Sequence, residues 1–240
     1  MFRSSFTSAV LISNCRALSL FCLVTAFTPL HGQAANYSEA EQLFRDGKIG
    51  EAQTVAKAEV DRGIWNRRWS ELLIRCQMAT GQYSEALKTY DAAIKRYPTS
   101  LPLRVQGIEV ARFNELSDRV ASEKAMIDRY LQTGQLRYAT ADTLVAAGGF
   151  FSENGIDARI ILKSFYDRVL ETDPANLEAL IATAELAISK GDFKVAAETV
   201  AKAQKRQLED ARLDHLLALA LQNTDPAAAS LALAKCLQAN

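Results

Sequence analysis

The chain is poor in the residues that catalysis and metal binding use most. Its 240 residues include only two histidines and four cysteines. No H-E-x-x-H, G-x-x-x-x-G-K-[ST], G-x-G-x-x-G or G-x-S-x-G occurs. Zinc hydrolysis, phosphate cradling and a nucleophile elbow therefore lack the residue spacing that their chemistry needs. Prolines number five, and no stretch alternates apolar and polar residues over a useful strand length, so a β-rich fold is disfavoured. Charge of one sign is also missing. With 28 basic and 28 acidic residues, nothing pulls the chain toward nucleic acid or an anionic membrane at long range. These absences predict a protein that is not an enzyme and holds no metal or cofactor. His215, in DHLLALAL, reads as a surface or groove residue of a helix, and Gly148-Gly149 reads as a site of close helix packing.

The first 34 residues differ from the rest. They carry Arg3 and Arg16 but no acidic residue, then the apolar run Ala17 to Thr28, then Gly32-Gln33-Ala34. A basic start, a short apolar core and a small-x-small end make up a secretory signal peptide. Twelve apolar residues reach about 18 Å as a helix, short of the roughly 30 Å of a hydrocarbon core, so no stable membrane span is expected. Cleavage after Ala34 leaves a mature chain, 35–240, of 26 basic and 28 acidic residues, a net charge of −2. It also removes Cys15, Cys22 and His31. The expected location is outside the cytoplasm, periplasmic or extracellular. Cys76 and Cys236, the two that remain, are too few for a disulfide framework and read as half-buried free thiols.

Small residues recur at fixed offsets. Aligned on glycine, GKIGEAQTVAKAEV from Gly47, GQYSEALKTYDAAI from Gly81 and GDFKVAAETVAKAQ from Gly191 place Ala52, Ala86 and Ala196 five residues on. Glu59, Ala93 and Ala203 stand twelve on, while Ala40, Ile74 and Ala184 stand seven before. Each unit reads as helix, glycine turn, helix, with the short side chains letting two axes approach. Twelve helices are expected, roughly at 37–46, 49–62, 66–80, 83–96, 101–115, 118–133, 138–154, 157–172, 175–189, 193–206, 209–223 and 226–238. Gly134 to Tyr138 is the place where stacking would break. No such unit buries its apolar face alone, so the units must stack.

These residues resemble a tetratricopeptide repeat (TPR) protein. The resemblance is carried by Arg67 to Ser100, with Leu73, Gly81, Tyr83, Ala86, Tyr90, Ala93 and Pro98, and by Leu177 to Asp210, with Ala184, Gly191, Phe193, Ala196 and Ala203. Leu101 to Gly134 departs from it: Gly107 is displaced by one residue, and Val120 and Ile127 replace alanines. The unit after Thr140 lacks about two residues near Asn154-Gly155. The resemblance implies an all-α superhelix, a TPR solenoid of about six hairpins, whose first helices line a concave groove.

Carried onto this sequence, that groove holds Arg68, Arg75, Glu109, Arg112, Phe113, Glu178 and Glu185, with Tyr37, Glu41 and Arg45 ahead of them. The expected partner is a protein or peptide held by charge pairing and apolar seating, with Arg68, Arg75 and Arg112 as anchors. A lysine and asparagine clamp for a peptide carboxylate is missing, because the matching positions read Glu71 and Arg75, or Ile181 and Glu185. IWNRRW interleaves basic and aromatic residues, but Trp65 and Trp69 share one helix face and are expected between hairpins. Two alternatives stand beside the scaffold. One is a self-assembling or docking subunit using the apolar final helix SLALAKCLQAN, which no polar capping helix follows, hence a possible homo-oligomer. The other is the recognition half of an exported peptidase-type complex.

Overall fold

The computed structural model describes residues 36–133, 135–206 and 208–238. The expected signal peptide, its cleavage point, Cys15, Cys22 and His31 lie outside them. The described residues are helical throughout and contain no strand. Twelve helices follow one another: α1 Tyr37–Arg45, α2 Ile49–Asp61, α3 Arg67–Ala79, α4 Tyr83–Arg96, α5 Leu101–Phe113 and α6 Ser117–Gln132 form the first half. A 3₁₀ turn, Gln135–Tyr138, leads to α7 Ala141–Glu153. Helix α8 is continuous in three pieces, Ala158–Ile161, a π-helical stretch Leu162–Tyr166, and Asp167–Thr172. Then come α9 Leu177–Ser189, α10 Phe193–Lys205, α11 Ala211–Leu221 and α12 Pro226–Gln238. None is long and apolar enough to cross a membrane.

Local chemistry sets the boundaries. Asn36, Asn66, Ser100, Asn176 and Asp210 cap α1, α3, α5, α9 and α11, each accepting a backbone N–H of the first turn at 2.9–3.3 Å. Such caps satisfy donors that the helix leaves open and contribute about 1 kcal/mol each. Between α3 and α4, Gly81 takes φ +73°, its N–H donates to Met78 O, and Gln82 N–H reaches back to Gln77 O at 2.8 Å. A left-handed residue closing a helix end this way is normally glycine. Between α5 and α6 the same turn is made by Glu115 at φ 59°, with Leu116 N–H on Ala111 O at 2.9 Å. Position 115, 34 residues after Gly81, carries glutamate where other turns carry glycine.

Helices pack on their chain neighbours in pairs, and each odd-numbered helix also touches the next odd one, α1 on α3, α3 on α5, α5 on α7, α7 on α9 and α9 on α11. The small residues lie at these contacts: Ala40, Ala52, Ala86, Ala93, Ala184, Ala196 and Ala203 are buried, and Ala86 and Ala196 are 0% exposed. Buried apolar clusters run in series along the chain, the largest joining α5 to α9 through Ile127, Phe150, Phe165 and Tyr166.

Two glycines inside helices make room for tyrosines. A Cβ on Gly107 would stand 2.3 Å from the Tyr90 ring, and one on Gly148 would stand 2.3 Å from the Tyr166 ring. Gly148 is thus the close-packing residue expected from the sequence, while its neighbour Gly149 faces open space. The π stretch of α8 adds a residue to one turn and lets Phe165 and Tyr166 both reach the core.

Three details differ from expectation. Helix α7 starts at Ala141, later than 138, because Gln135–Tyr138 is wound as a tighter turn held by Arg168, whose guanidinium donates to Leu136 O at 3.1 Å. Trp69 is buried, but Trp65 is 74% exposed. Trp65 precedes α3, outside its helical face, and stands against Arg96 and Tyr97 at 4.3 and 5.6 Å. Cys76 is fully buried where half-burial was expected, and its thiol is pushed up to about 11 by burial; Cys236 is half-buried, and both are free.

Candidate functional site: a cavity lined by the odd-numbered helices

The odd-numbered helices also share a cavity of about 750 Å³. Its wall takes Tyr37 and Glu41 from α1, Arg68, Glu71 and Arg75 from α3, and Gln106, Glu109, Arg112 and Phe113 from α5. Asp142, Val145, Ala146, Phe150 and Glu153 come from α7, Glu178 from α9 and Arg212 from α11. No even-numbered helix contributes. The reason is the i, i+3, i+4 spacing on each helix, which keeps one stripe on one side. Gln106, Glu109 and Phe113 form such a stripe on α5, and Arg68, Glu71 and Arg75 form another on α3. A second cavity of about 290 Å³ adjoins it and shares Arg75, Gln106, Glu109 and Phe113, adding Phe44 and Met78.

The expected residues fall here unevenly. Arg68, Arg75, Glu109, Arg112, Phe113 and Glu178 line the larger cavity, and Glu185 does not. Glu185 is two turns further along α9, exposed, and electrostatically within reach of Arg212 and Glu178. His215 is exposed on α11. Helix α7 supplies five wall residues that the sequence reading left out. They carry the same spacing as α3 and α5, from Asp142 through Ala146 to Glu153, and extending the stripe to 141–153 would have found them.

The arginines are held by carboxylates. Arg75 donates to Glu41 at 2.9 Å and Arg68 at 3.4 Å, while Arg45 lies 4.0 Å from the same carboxylate. Arg67, behind the wall, bonds Glu71 at 2.7 Å and also pairs with Asp142 of α7. Arg112 meets Glu153 at 3.4 Å. Arg212 reaches Glu178 at 2.8 Å and Asp210 at 2.9 Å, and Asp210 in turn faces Arg45 of α1 at 3.7 Å. Charges from the first and last helical pairs therefore meet across the cavity. Two guanidiniums also cover aromatic faces, Arg68 over Tyr37 at 3.9 Å and Arg75 over Phe44 at 4.3 Å. Phe113 stacks on Tyr83 at 4.8 Å and leaves half its surface exposed.

Burial and charge act on the acids in opposite directions. Burial holds Glu71 above the ordinary carboxylate value although Arg67, Arg68 and Arg75 pull it down. Glu185, though its side chain reaches solvent, is also raised, by desolvation from the surrounding helices and then by Glu178 against the pull of Arg212. At Glu178 and Asp210 burial also pushes upward, but the hydrogen bonds and charge of Arg212 outweigh it and both end below their ordinary values. The Tyr37 hydroxyl is pushed up to about 12 by burial and by Glu41, so it stays a donor at neutral pH.

No protein-family model matches the chain, and no curated protein matches it. The chemistry of the wall must speak for itself. Among the described residues no group of three His, Cys, Asp or Glu is placed to hold a metal ion. What the cavity offers is an open apolar floor, from Val105 to Phe150, under a rim of paired charges.

Proposed function

We propose that the chain is a TPR-like superhelical scaffold that holds a segment of partner protein in this cavity and performs no chemistry of its own. The observation that carries this reading is the origin of the wall: every residue comes from the first helix of a pair. The volume is that of a cleft for a small ligand or a short stretch of peptide. Arg68, Arg75, Arg112 and Glu178 contribute the polar rim, Phe113 and Phe150 the apolar contacts. The basic, acid-free N-terminal 34 residues support export to the periplasm or beyond. The test is chemical crosslinking of the mature chain in the cells that make it, followed by mass spectrometry. A partner joined near α3, α5 and α7 supports the scaffold, and filling the cavity with Ala146→Trp should abolish the capture. Capture that survives Ala146→Trp undiminished would place the working surface elsewhere.

A second reading, self-assembly, is favoured by one feature. On α12 Leu231 is 74% exposed and Leu237 is 67% exposed, with Leu233 beside them. Leu233 and Leu237, four residues apart, share one side of the helix, and exposed apolar residues grouped on one side mark a contact surface more often than scattered single residues do. Light scattering at tens of micromolar decides it: a dimer that Leu231→Glu with Leu237→Glu dissolves supports it, and a monomer removes it.

A further inference from the structure

Resting on the scaffold reading, we infer that the segment taken by the cavity is basic: a stretch of partner polypeptide whose lysine or arginine seats at Glu109, beside Gln106 and Phe113. The argument is what remains after the wall's own charges are matched. The wall holds four arginines against six carboxylates. Arg68 and Arg75 are committed to Glu41, Arg112 to Glu153 and Arg212 to Glu178 and Asp210. Glu71 and Asp142 are matched by Arg67 from behind. Glu109 is left over. It is exposed and makes no hydrogen bond or ion pair among the described residues.

Gln106 stands one turn before Glu109 on α5 and lines the same cavity. Its amide nitrogen donates to Glu71 O at 3.0 Å, while its Oε1 is buried and accepts nothing within the protein. A buried acceptor without a donor is costly, and a ligand N–H relieves it only where the amide turns toward the cavity. Both residues line the larger and the smaller cavity, so they form the ridge a ligand crosses when it spans the two. The ridge is flanked by Phe113, which stacks on Tyr83 and leaves half its surface exposed to an incoming cation, while the Phe44 ring is already covered by Arg75. An acidic segment meets the opposite situation. To bind Arg112 or Arg212 it must displace Glu153 or Glu178 and leave that carboxylate unmatched, and at Arg68 it meets the Glu41 carboxylate that already faces that guanidinium. A polypeptide fits better than a bare polyamine because the floor between these groups is apolar, through Val105, Val145 and Phe150.

The test uses the full mature chain and three capped peptides of alternating leucine with lysine, glutamine or glutamate, titrated by calorimetry. The lysine peptide is expected to bind tightest and to weaken as salt is raised. Glu109→Gln should weaken it about fivefold and Glu109→Lys further, as for a partly screened ion pair. Glu51→Gln, on α2 outside the cavity, should change nothing, and Ala146→Trp should abolish binding. Because Glu109 is exposed, its variants should keep wild-type helix content by circular dichroism. If the glutamate peptide binds as well as the lysine peptide and Ala146→Trp still blocks it, the charge assignment is overturned while the cavity reading stands. If the lysine peptide binds but ignores Glu109, the seat is misplaced and the inference falls. If no peptide binds, or Ala146→Trp has no effect, the cavity reading itself fails.

Discussion

Gly148 and Gly149 are neighbours in α7, yet adding one methyl group to each should change stability in opposite directions. In a helix interior alanine is favoured over glycine by about 1 kcal/mol, and this gain applies equally to both positions. At Gly149 nothing lies within 4 Å of the added Cβ, so Gly149→Ala should stabilise by about 1 kcal/mol. At Gly148 the Cβ would stand 2.3 Å from Tyr166 Cε1 and 2.8 Å from Cζ. Tyr166 is 2% exposed within the largest core cluster, so its ring has little space to retreat. Overpacking of a closed core costs about 1–3 kcal/mol, and a ring this close belongs at the upper end, leaving Gly148→Ala about 2 kcal/mol less stable than wild type. Urea denaturation followed by circular dichroism measures both, provided the slope is unchanged. Tyr166→Phe should not rescue Gly148→Ala, because the nearest atom is in the ring, whereas Tyr166→Leu should recover part of the loss. If Gly148→Ala stabilises as much as Gly149→Ala, the nesting of α7 on α8 described above is wrong.

Four further outcomes follow from the same contacts. Glu115→Gly should stabilise by about 0.5–1 kcal/mol in urea melts, because a left-handed φ costs a side chain about 1–2 kcal/mol while glycine loses some chain entropy. Ala86→Leu should cost about 1–3 kcal/mol by the same measurement, since its site between helices is closed. Glu123→Ala should cost about 3 kcal/mol, because it strips a buried carboxylate from Arg104 at 2.7 Å and Arg119 at 2.9 Å; the largely buried Arg104 loses its carboxylate, while Arg119 keeps Asp91 at 2.8 Å. Glu178 and Asp210 have pKa values lowered from 4.5 and 3.8, so their contribution is full above those values and is lost as pH falls through the lowered ones. The denaturation midpoint should therefore drop less between pH 5 and pH 3 in Arg212→Gln than in wild type, although the raised Glu71 acts in the opposite sense in both proteins.

How legible this was depended on distance along the chain. The alanines at fixed offsets and the glycine turns are local signals, and they placed all twelve helices to within a few residues. Where the local pattern lapsed, the structure found a different solution. Glu115 makes a glycine turn without glycine, Glu123 gathers two arginines at a position where other units carry Val55, Thr89 and Thr199, and α8 inserts a π stretch to aim Tyr166 at Gly148. None of these follows from a period of 34; the last two depend on partners in another helix. The site shows the same division. The stripes on α3 and α5 were readable from helical spacing, so Arg68, Arg75, Glu109, Arg112 and Phe113 were placed together on the side that lines the cavity. Their partners were not, since Arg67 with Asp142 and Arg45 with Asp210 join residues far apart in sequence. An arginine that looks free in a sequence becomes half of a pair once the helices curve toward each other.

The claim that the cavity is the working surface is tested most directly by photocrosslinking in the cells that make the protein. A photoreactive phenylalanine analogue is placed at 109, at 146 and, for comparison, at 51 on α2. The account predicts the same protein partner captured from 109 and 146 and nothing from 51. A partner captured from 51 alone, or none from either cavity position, would contradict it.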